Sequence, residues 1–262
     1  MSFYNYRGHL IHYKYLDQGK EQTLVFINSL GTDFRIWDSV AGNLFPVANL
    51  LLFDKRGHGL SGLTPSPKGL EDYTEDLVGL LQYLDIRQQI IPVGLSVGGI
   101  IAQLLINRIP DQIPRVILSD TRYKIGNSKI WNDRIAQVRG RGIGSISDGV
   151  VGRWFSKIFH ARFPETVLGY KYMLERTPVD GYIQTCEGIR DADTAEIARK
   201  IAVPALCLVG AEDQSTTPEE VKNLADLIPG SVYLVLENSG HLPCIDNAAT
   251  LSRLISEFIQ TS

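Results

Sequence analysis

Short, mostly apolar runs alternating with helix-spaced apolar positions constrain this chain most. Residues 24–27 and 49–53 are such runs, residues 90–93 and 115–119 read as further strands, and the pattern returns at 205–209 and 232–236. A strand that is apolar on every side must be covered on both faces, which is the situation inside a parallel sheet. Between these runs, Ile36, Trp37, Val40 and Leu44 recur at helical spacing. Leu77, Leu80, Leu81 and Leu84 start another helix, which Asp85 helps to close. Residues 97–109 make a strongly apolar helix stopped at Pro110, because proline lacks the amide and crowds the preceding turn. Residues 218–227 and 251–259 supply later helices. Residues 9–15 alternate apolar and polar side chains and read as an early antiparallel strand.

The rhythm breaks between Tyr123 and Ala195, where helical patches are separated by Gly140, Gly142, Gly144, Gly149 and Pro164. The expected class is α/β: a mostly parallel twisted sheet flanked by helices, built from residues 1–122 and 196–262, with a helical cap inserted at 123–195. A length of 262 residues suits one domain carrying such an insertion better than two independent domains.

Charge and cysteine content narrow the function classes. The formal net charge of −3 argues against a nucleic-acid binder, which would more often be basic. No apolar run is long enough to span a bilayer, so no membrane role is expected. No basic, apolar, small-residue leader opens the sequence, and the expectation is a cytoplasmic protein. Cys186, Cys207 and Cys244 are too scattered for a disulfide scaffold or a zinc site and read as small apolar residues.

Gly94-Leu95-Ser96-Val97-Gly98 directly follows one predicted strand and directly precedes a helix. A G-x-S-x-G match means little alone, but a strand-turn-helix setting holds the serine on a sharp turn at the end of the sheet. The alternative is a glycine-rich turn with an incidental serine. A serine hydroxyl needs a base, and the base needs an orienting carboxylate. Of five histidines, His160 and His241 follow Ser96, and His241 alone of these follows a predicted strand. Asp213 and Glu212, after residues 205–209, are the candidate acids; Asp213 is favoured by position and Glu212 is held in reserve. Backbone amides of Leu30 and Val97 are the expected oxyanion donors. His58 precedes the serine and reads as a turn residue. No metal or organic cofactor is needed for this chemistry.

Along nearly its whole length the chain resembles the α/β-hydrolase superfamily. The resemblance rests on residues 54–61, the turn at Ser96, Val209-Gly210-Ala211-Glu212-Asp213 and Gly240-His241. Asn28-Ser29-Leu30-Gly31-Thr32-Asp33 with Trp37-Asp38, and Ile125-Gly126, Trp131-Asn132, Arg134-Ile135, Trp154-Phe155, Cys186 and Ile189-Arg190-Asp191, look similar to 3-oxoadipate enol-lactonases. That resemblance implies a small anionic enol-lactone as substrate. Independently, residues 123–163 carry eight basic and two acidic residues, a local charge of +6 that would favour an anion. Arg134 is the candidate carboxylate contact, and Trp131 and Trp154 are candidate pocket walls. Competing readings are a general carboxylesterase, a carbon-carbon bond hydrolase of the same fold, and a hydrolase-like ligand receptor with little turnover. The sequence carries no signal for oligomeric state.

Overall fold

The computed structural model describes residues 2–63, 67 and 69–260. Its elements in chain order are β1 (Ser2–Tyr6), β2 (His9–Leu16), β3 (Thr23–Ile27), α1 (Asp38–Leu44), β4 (Asn49–Phe53), α2 (Leu70–Tyr83), β5 (Ile90–Leu95), α3 (Val97–Arg108) and β6 (Val116–Ser119). Then come α4 (Ser128–Arg141), α5 (Gly144–Val151), α6 (Lys157–Arg162), α7 (Pro164–Glu175), α8 (Val179–Asp191) and α9 (Ala195–Ala198). The chain closes with β7 (Ala205–Gly210), α10 (Pro218–Leu227), β8 (Val232–Leu236), α11 (Pro243–Asp246) and α12 (Ala248–Gln260).

The strands form one sheet in the order β1-β2-β4-β3-β5-β6-β7-β8. β3 to β8 run parallel, whereas β2 pairs antiparallel with both β1 and β4. Every residue of β3, β4, β5, β6 and β7 is buried, as the apolar runs require. The edge strands differ: β8 leaves Val232 and Val235 exposed, and β1 is largely exposed. After β3 the chain adds β4 on one side and then crosses to add β5 on the other. The strand order therefore reverses at β3 and β5. In an open α/β sheet, the crevice beyond the carboxyl ends of the strands at such a reversal is where ligands bind. The loops leaving β3 and β5 carry Leu30 and Ser96.

Some boundaries differ from the sequence expectation. α2 starts at Leu70 rather than Leu77, since Leu70, Tyr73 and Thr74 are also buried and Glu71 and Asp72 suit a helix N-terminus. Asp85 lies just past its end with a φ of 56°, a left-handed conformation that stops the helix. β1 was not anticipated; it is the hairpin partner of β2, joined by Arg7 and Gly8, both at positive φ. Gly140, Gly144 and Gly149 fall inside helices, and only Gly142, at φ 73°, separates two of them. Pro164 does separate two helices, α6 and α7, by opening the second, because the first helical position needs no amide. The three cysteines are buried and unpaired, and burial pushes the Cys186 and Cys207 thiols up to about 12. Among the described residues no helix is long and apolar enough to cross a membrane.

Candidate active site

Ser96 sits between β5 and α3 with φ 58° and ψ −119°, a conformation that costs a non-glycine residue on the order of 1–3 kcal/mol. The surroundings hold it there. Ser96 N–H donates to Ser119 O at 3.0 Å, and Thr121 Oγ1–H donates to Ser96 O at 2.6 Å. The flanking glycines let the turn close: a Cβ on Gly94 would lie 2.4 Å from Gly98 O, and one on Gly98 would lie 2.0 Å from Ile27 O. α3 thus begins directly against the end of β3.

His241 follows β8 and Asp213 follows β7. His241 Nδ1 lies 2.7 Å from Asp213 Oδ2, and both residues are buried. Asp213 is saturated by donors: Ser215 N–H and Thr216 N–H reach Oδ1 at 2.7 and 3.2 Å, and Thr216 Oγ1–H reaches Oδ2 at 2.7 Å. Burial alone would raise this carboxyl, but the His241 charge and hydrogen bond, with the Ser215 and Thr216 donors, hold it below the ordinary carboxylate range. Glu212 points elsewhere, accepting Lys157 N–H at 3.0 Å. Asp246 of α11 fastens the histidine loop, accepting Gly240 N–H at 2.8 Å and Ser239 Oγ–H at 2.6 Å. Nothing in the sequence pattern singled out Asp246.

The loop after β3 is braced from below. Lys55 Nζ donates to Ser29 O at 2.8 Å, and Asn28 Nδ2–H donates to Thr32 O at 2.6 Å. His58 Nε2 accepts Gly31 N–H at 3.1 Å, and its Nδ1 lies 3.2 Å from Arg56 O. An amide and a carbonyl on opposite nitrogens define one neutral tautomer, with the proton on Nδ1. Burial, with the Lys55 charge beside it, pushes His58 well below the ordinary imidazole value and keeps it neutral. His58 is therefore a turn residue bracing this loop, as the sequence suggested. The Leu30 and Val97 amides donate to no acceptor among the described residues. Both are buried, and Val97 opens α3, whose dipole favours negative charge at that end.

Ser96, His241 and Leu30 line one cavity of about 390 Å³. The segment between β6 and β7 contributes Trp131 and Arg134 from α4, Arg153 and Trp154 from the turn between α5 and α6, and Tyr182 from α8 to its walls. Trp131 donates Nε1–H to Ile125 O at 2.6 Å, and the Arg134 guanidinium stacks 4.9 Å above its ring. Leu242 N–H donates to Trp154 O at 2.9 Å, tying the histidine loop to that wall. Of the eight basic residues in 123–163, only Arg134 and Arg153 reach the cavity. Burial and the neighbouring Arg134 lower the Arg153 pKa. Arg122 also lines it, paired with Glu220, the capping-box residue of α10. Sequence reasoning counted Arg153 without singling it out, and the excess of basic residues was the only signal for it. A second cavity of about 400 Å³, walled by residues including Phe34, Leu60, Met173 and Arg176, contains none of Ser96, Asp213 or His241.

Asp120, Asp213 and His241 bring one ligand-type atom each within 4.8 Å of one another, the only such triplet among the described residues. The Asp213 oxygens and His241 Nδ1 are already engaged in hydrogen bonds, an arrangement suited to orienting a proton acceptor.

The chain belongs to the α/β-hydrolase family: the family model for the alpha/beta hydrolase fold matches residues 22–248. Among its relatives, 3-oxoadipate enol-lactonase 2 of Acinetobacter baylyi is 31% identical over 229 residues, covering 87% of this chain and 85% of that protein. The 3-oxoadipate enol-lactonase 1 of the same organism is 27% identical over 238 residues, covering 91% and 88%. The crystal structure of the enol-lactonase from Burkholderia xenovorans is similar with a TM-score of 0.94 at 30% identity, covering 99% of this chain and 100% of that one.

Proposed function

We propose that the protein opens a small anionic enol-lactone, 3-oxoadipate enol-lactone, to 3-oxoadipate through an acyl-enzyme on Ser96. The observation that carries this reading is the His241–Asp213 pair opening into the same cavity as Ser96, beneath Arg134 and Arg153. The similarity to enol-lactonases supports the choice of substrate. In this reading residues 123–195 act as a cap over the core formed by 1–122 and 196–262.

Ser96 Oγ attacks the lactone carbonyl carbon as its proton passes to His241 Nε2. Asp213 orients the imidazole and stabilises its charged form. The carbonyl oxygen becomes an oxyanion facing the Leu30 and Val97 amides, each such donor lowering the barrier by about 3 kcal/mol. The ring C–O bond breaks, the enol oxygen takes the proton from His241, and the enol tautomerises to a ketone while its acyl end stays on Ser96. Water then gives a proton to His241 and its oxygen to the acyl carbon; Ser96 recovers the proton and the second carboxylate is released. Trp131 and Trp154 wall the ring, and Arg134 pairs with the side-chain carboxylate. Each step uses side chains and water, without metal or organic cofactor.

The test compares wild type and Ser96→Ala on the enol-lactone and on p-nitrophenyl acetate. Expected is loss of at least about 10⁴-fold in kcat for the variant with an unchanged melting temperature, and wild-type preference for the lactone. An active Ser96→Ala rejects the acyl-enzyme. Preference for the neutral ester makes the protein a general carboxylesterase instead.

A further inference from the structure

Asp120 directly follows β6, with a fully buried side chain and a φ of 48°, a left-handed conformation uncommon for a residue with a side chain. Its position is over-determined. Asp120 N–H donates to Leu208 O at 2.8 Å, Gly210 N–H donates to Asp120 Oδ1 at 2.9 Å, and Ser119 Oγ lies 2.6 Å from Oδ2. These contacts clamp the carboxyl between the ends of β6 and β7, directly behind Asp213. One of its oxygens lies within 4.8 Å of both an Asp213 carboxylate oxygen and a His241 ring nitrogen. The mechanism above leaves this second carboxyl group unused.

Two carboxyl groups this close to one another ionise together only at large cost. Their surroundings decide which one does. Asp213 collects four donors, including the imidazole, and keeps its charge. Asp120 collects two, and burial followed by the Asp213 charge pushes it well above the ordinary carboxylate range. The other groups acting on it are Asp246, which raises it further, and the Gly210 and Ser119 hydrogen bonds, which oppose the rise. Cys244 also stands nearby, its thiol pushed up chiefly by burial. With Asp213 charged, Asp120 holds its proton. Removing the Asp213 charge removes the second largest of the three causes of that protonation.

We propose that Asp120 is a second acid for His241, a positioning residue that backs Asp213 and takes over orienting the imidazole when Asp213 carries no charge. The proposal rests on the Ser96–His241–Asp213 reading and adds a fourth member to it.

The test is the dependence of kcat/KM on pH for wild type, Asp120→Asn, Asp213→Ala and the double variant, with p-nitrophenyl acetate as substrate and melting curves for each. Alanine at 213 is chosen because an asparagine amide would donate to His241 Nδ1 and lock the wrong tautomer. Asparagine at 120 retains an acceptor for Gly210 N–H. Expected losses are about fivefold for Asp120→Asn, about 10²-fold for Asp213→Ala and about 10⁴-fold for the double variant, so the two changes are strongly non-additive. The acid limb of Asp213→Ala should stay within about one pH unit of wild type, because an ionised carboxylate still faces the imidazole. A residue that merely accepts the Gly210 amide would leave the losses multiplicative. Multiplicative losses therefore overturn the proposal. If the double variant does not fold, an acid limb of Asp213→Ala displaced by more than about one unit overturns it as well. Failure of the parent reading looks different: Asp213→Ala or Ser96→Ala would then be as active as wild type.

Discussion

Replacing His58 by leucine tests how the proposed oxyanion loop is held. The imidazole accepts Gly31 N–H at 3.1 Å and contacts Arg56 O at 3.2 Å, and it is fully buried. Leucine has comparable bulk but no polar atom, so one amide and one carbonyl lose their partner away from water. Each orphaned group costs about 1–3 kcal/mol, which makes the expected destabilisation about 2–6 kcal/mol. The catalytic effect has a separate origin. Gly31 follows Leu30, whose amide is one of the two proposed oxyanion donors, and a displacement of about 1 Å there lowers kcat about 10²-fold. Glutamine can present an acceptor to Gly31 N–H, and His58→Gln should recover at least about tenfold of that loss.

The pH dependence of stability has a definite sign. The folded chain keeps His58 neutral, while the unfolded chain protonates it below the ordinary value of 6.5. Its contribution is complete above pH 6.5 and is lost progressively as the pH falls, because the unfolded state then binds the extra proton. His58→Gln lacks this loss, so the stability gap between it and wild type should narrow below pH 6.5. Urea unfolding at several pH values, with kcat on p-nitrophenyl acetate, reads both effects. A His58→Leu variant with kcat within threefold of wild type would refute the bracing argument.

Arg153→Ala should raise KM for the enol-lactone about 10–100-fold, the loss of one charge-assisted hydrogen bond, with a much smaller rise for a neutral ester. An equal rise for both substrates would assign Arg153 to packing. Gly98→Ala would place a methyl group 2.0 Å from Ile27 O, a backbone atom with no rotamer to escape into. It should cost about 3 kcal/mol or more, read as a fall in melting temperature; a variant melting within 2 °C of wild type, about the effect of 1 kcal/mol or less, would show that α3 does not press on β3 as described.

Much of this architecture is legible in the sequence because burial on two faces leaves a one-dimensional trace. β3, β4, β5 and β7 are apolar at nearly every position, and their limits agree with the pattern to within two residues. β1 left no such trace: SFYNY lies at an edge, largely exposed, and its pairing with β2 is a property of the hairpin rather than of its own composition. The start of α2 was obscured because Glu71 and Asp72 interrupt the apolar spacing while stabilising the helix end.

The candidate site divides along the same line. Ser96 and Asp213 each follow a buried parallel strand and His241 follows the parallel edge strand β8, so the strand pattern delivers their loops to one edge of the sheet. Side chains that reach the site from elsewhere carry no such marker. Arg153 is one of eight basic residues in its stretch, and only the packing of the helices around it turns it, rather than Arg139 or Arg141, toward the cavity. Asp120 also follows a buried strand, yet a carboxyl after β6 looks like any loop acid until β7 is placed beside it. The parallel pairing of Ser119 with Leu208 then fixes Asp120 against Gly210 and behind Asp213. The pattern of single strands thus locates the three proposed reacting groups, and the register between strands locates the proposed second acid. A survey of loop acids by strand order, rather than by motif, is the form of sequence reading that would have found Asp120.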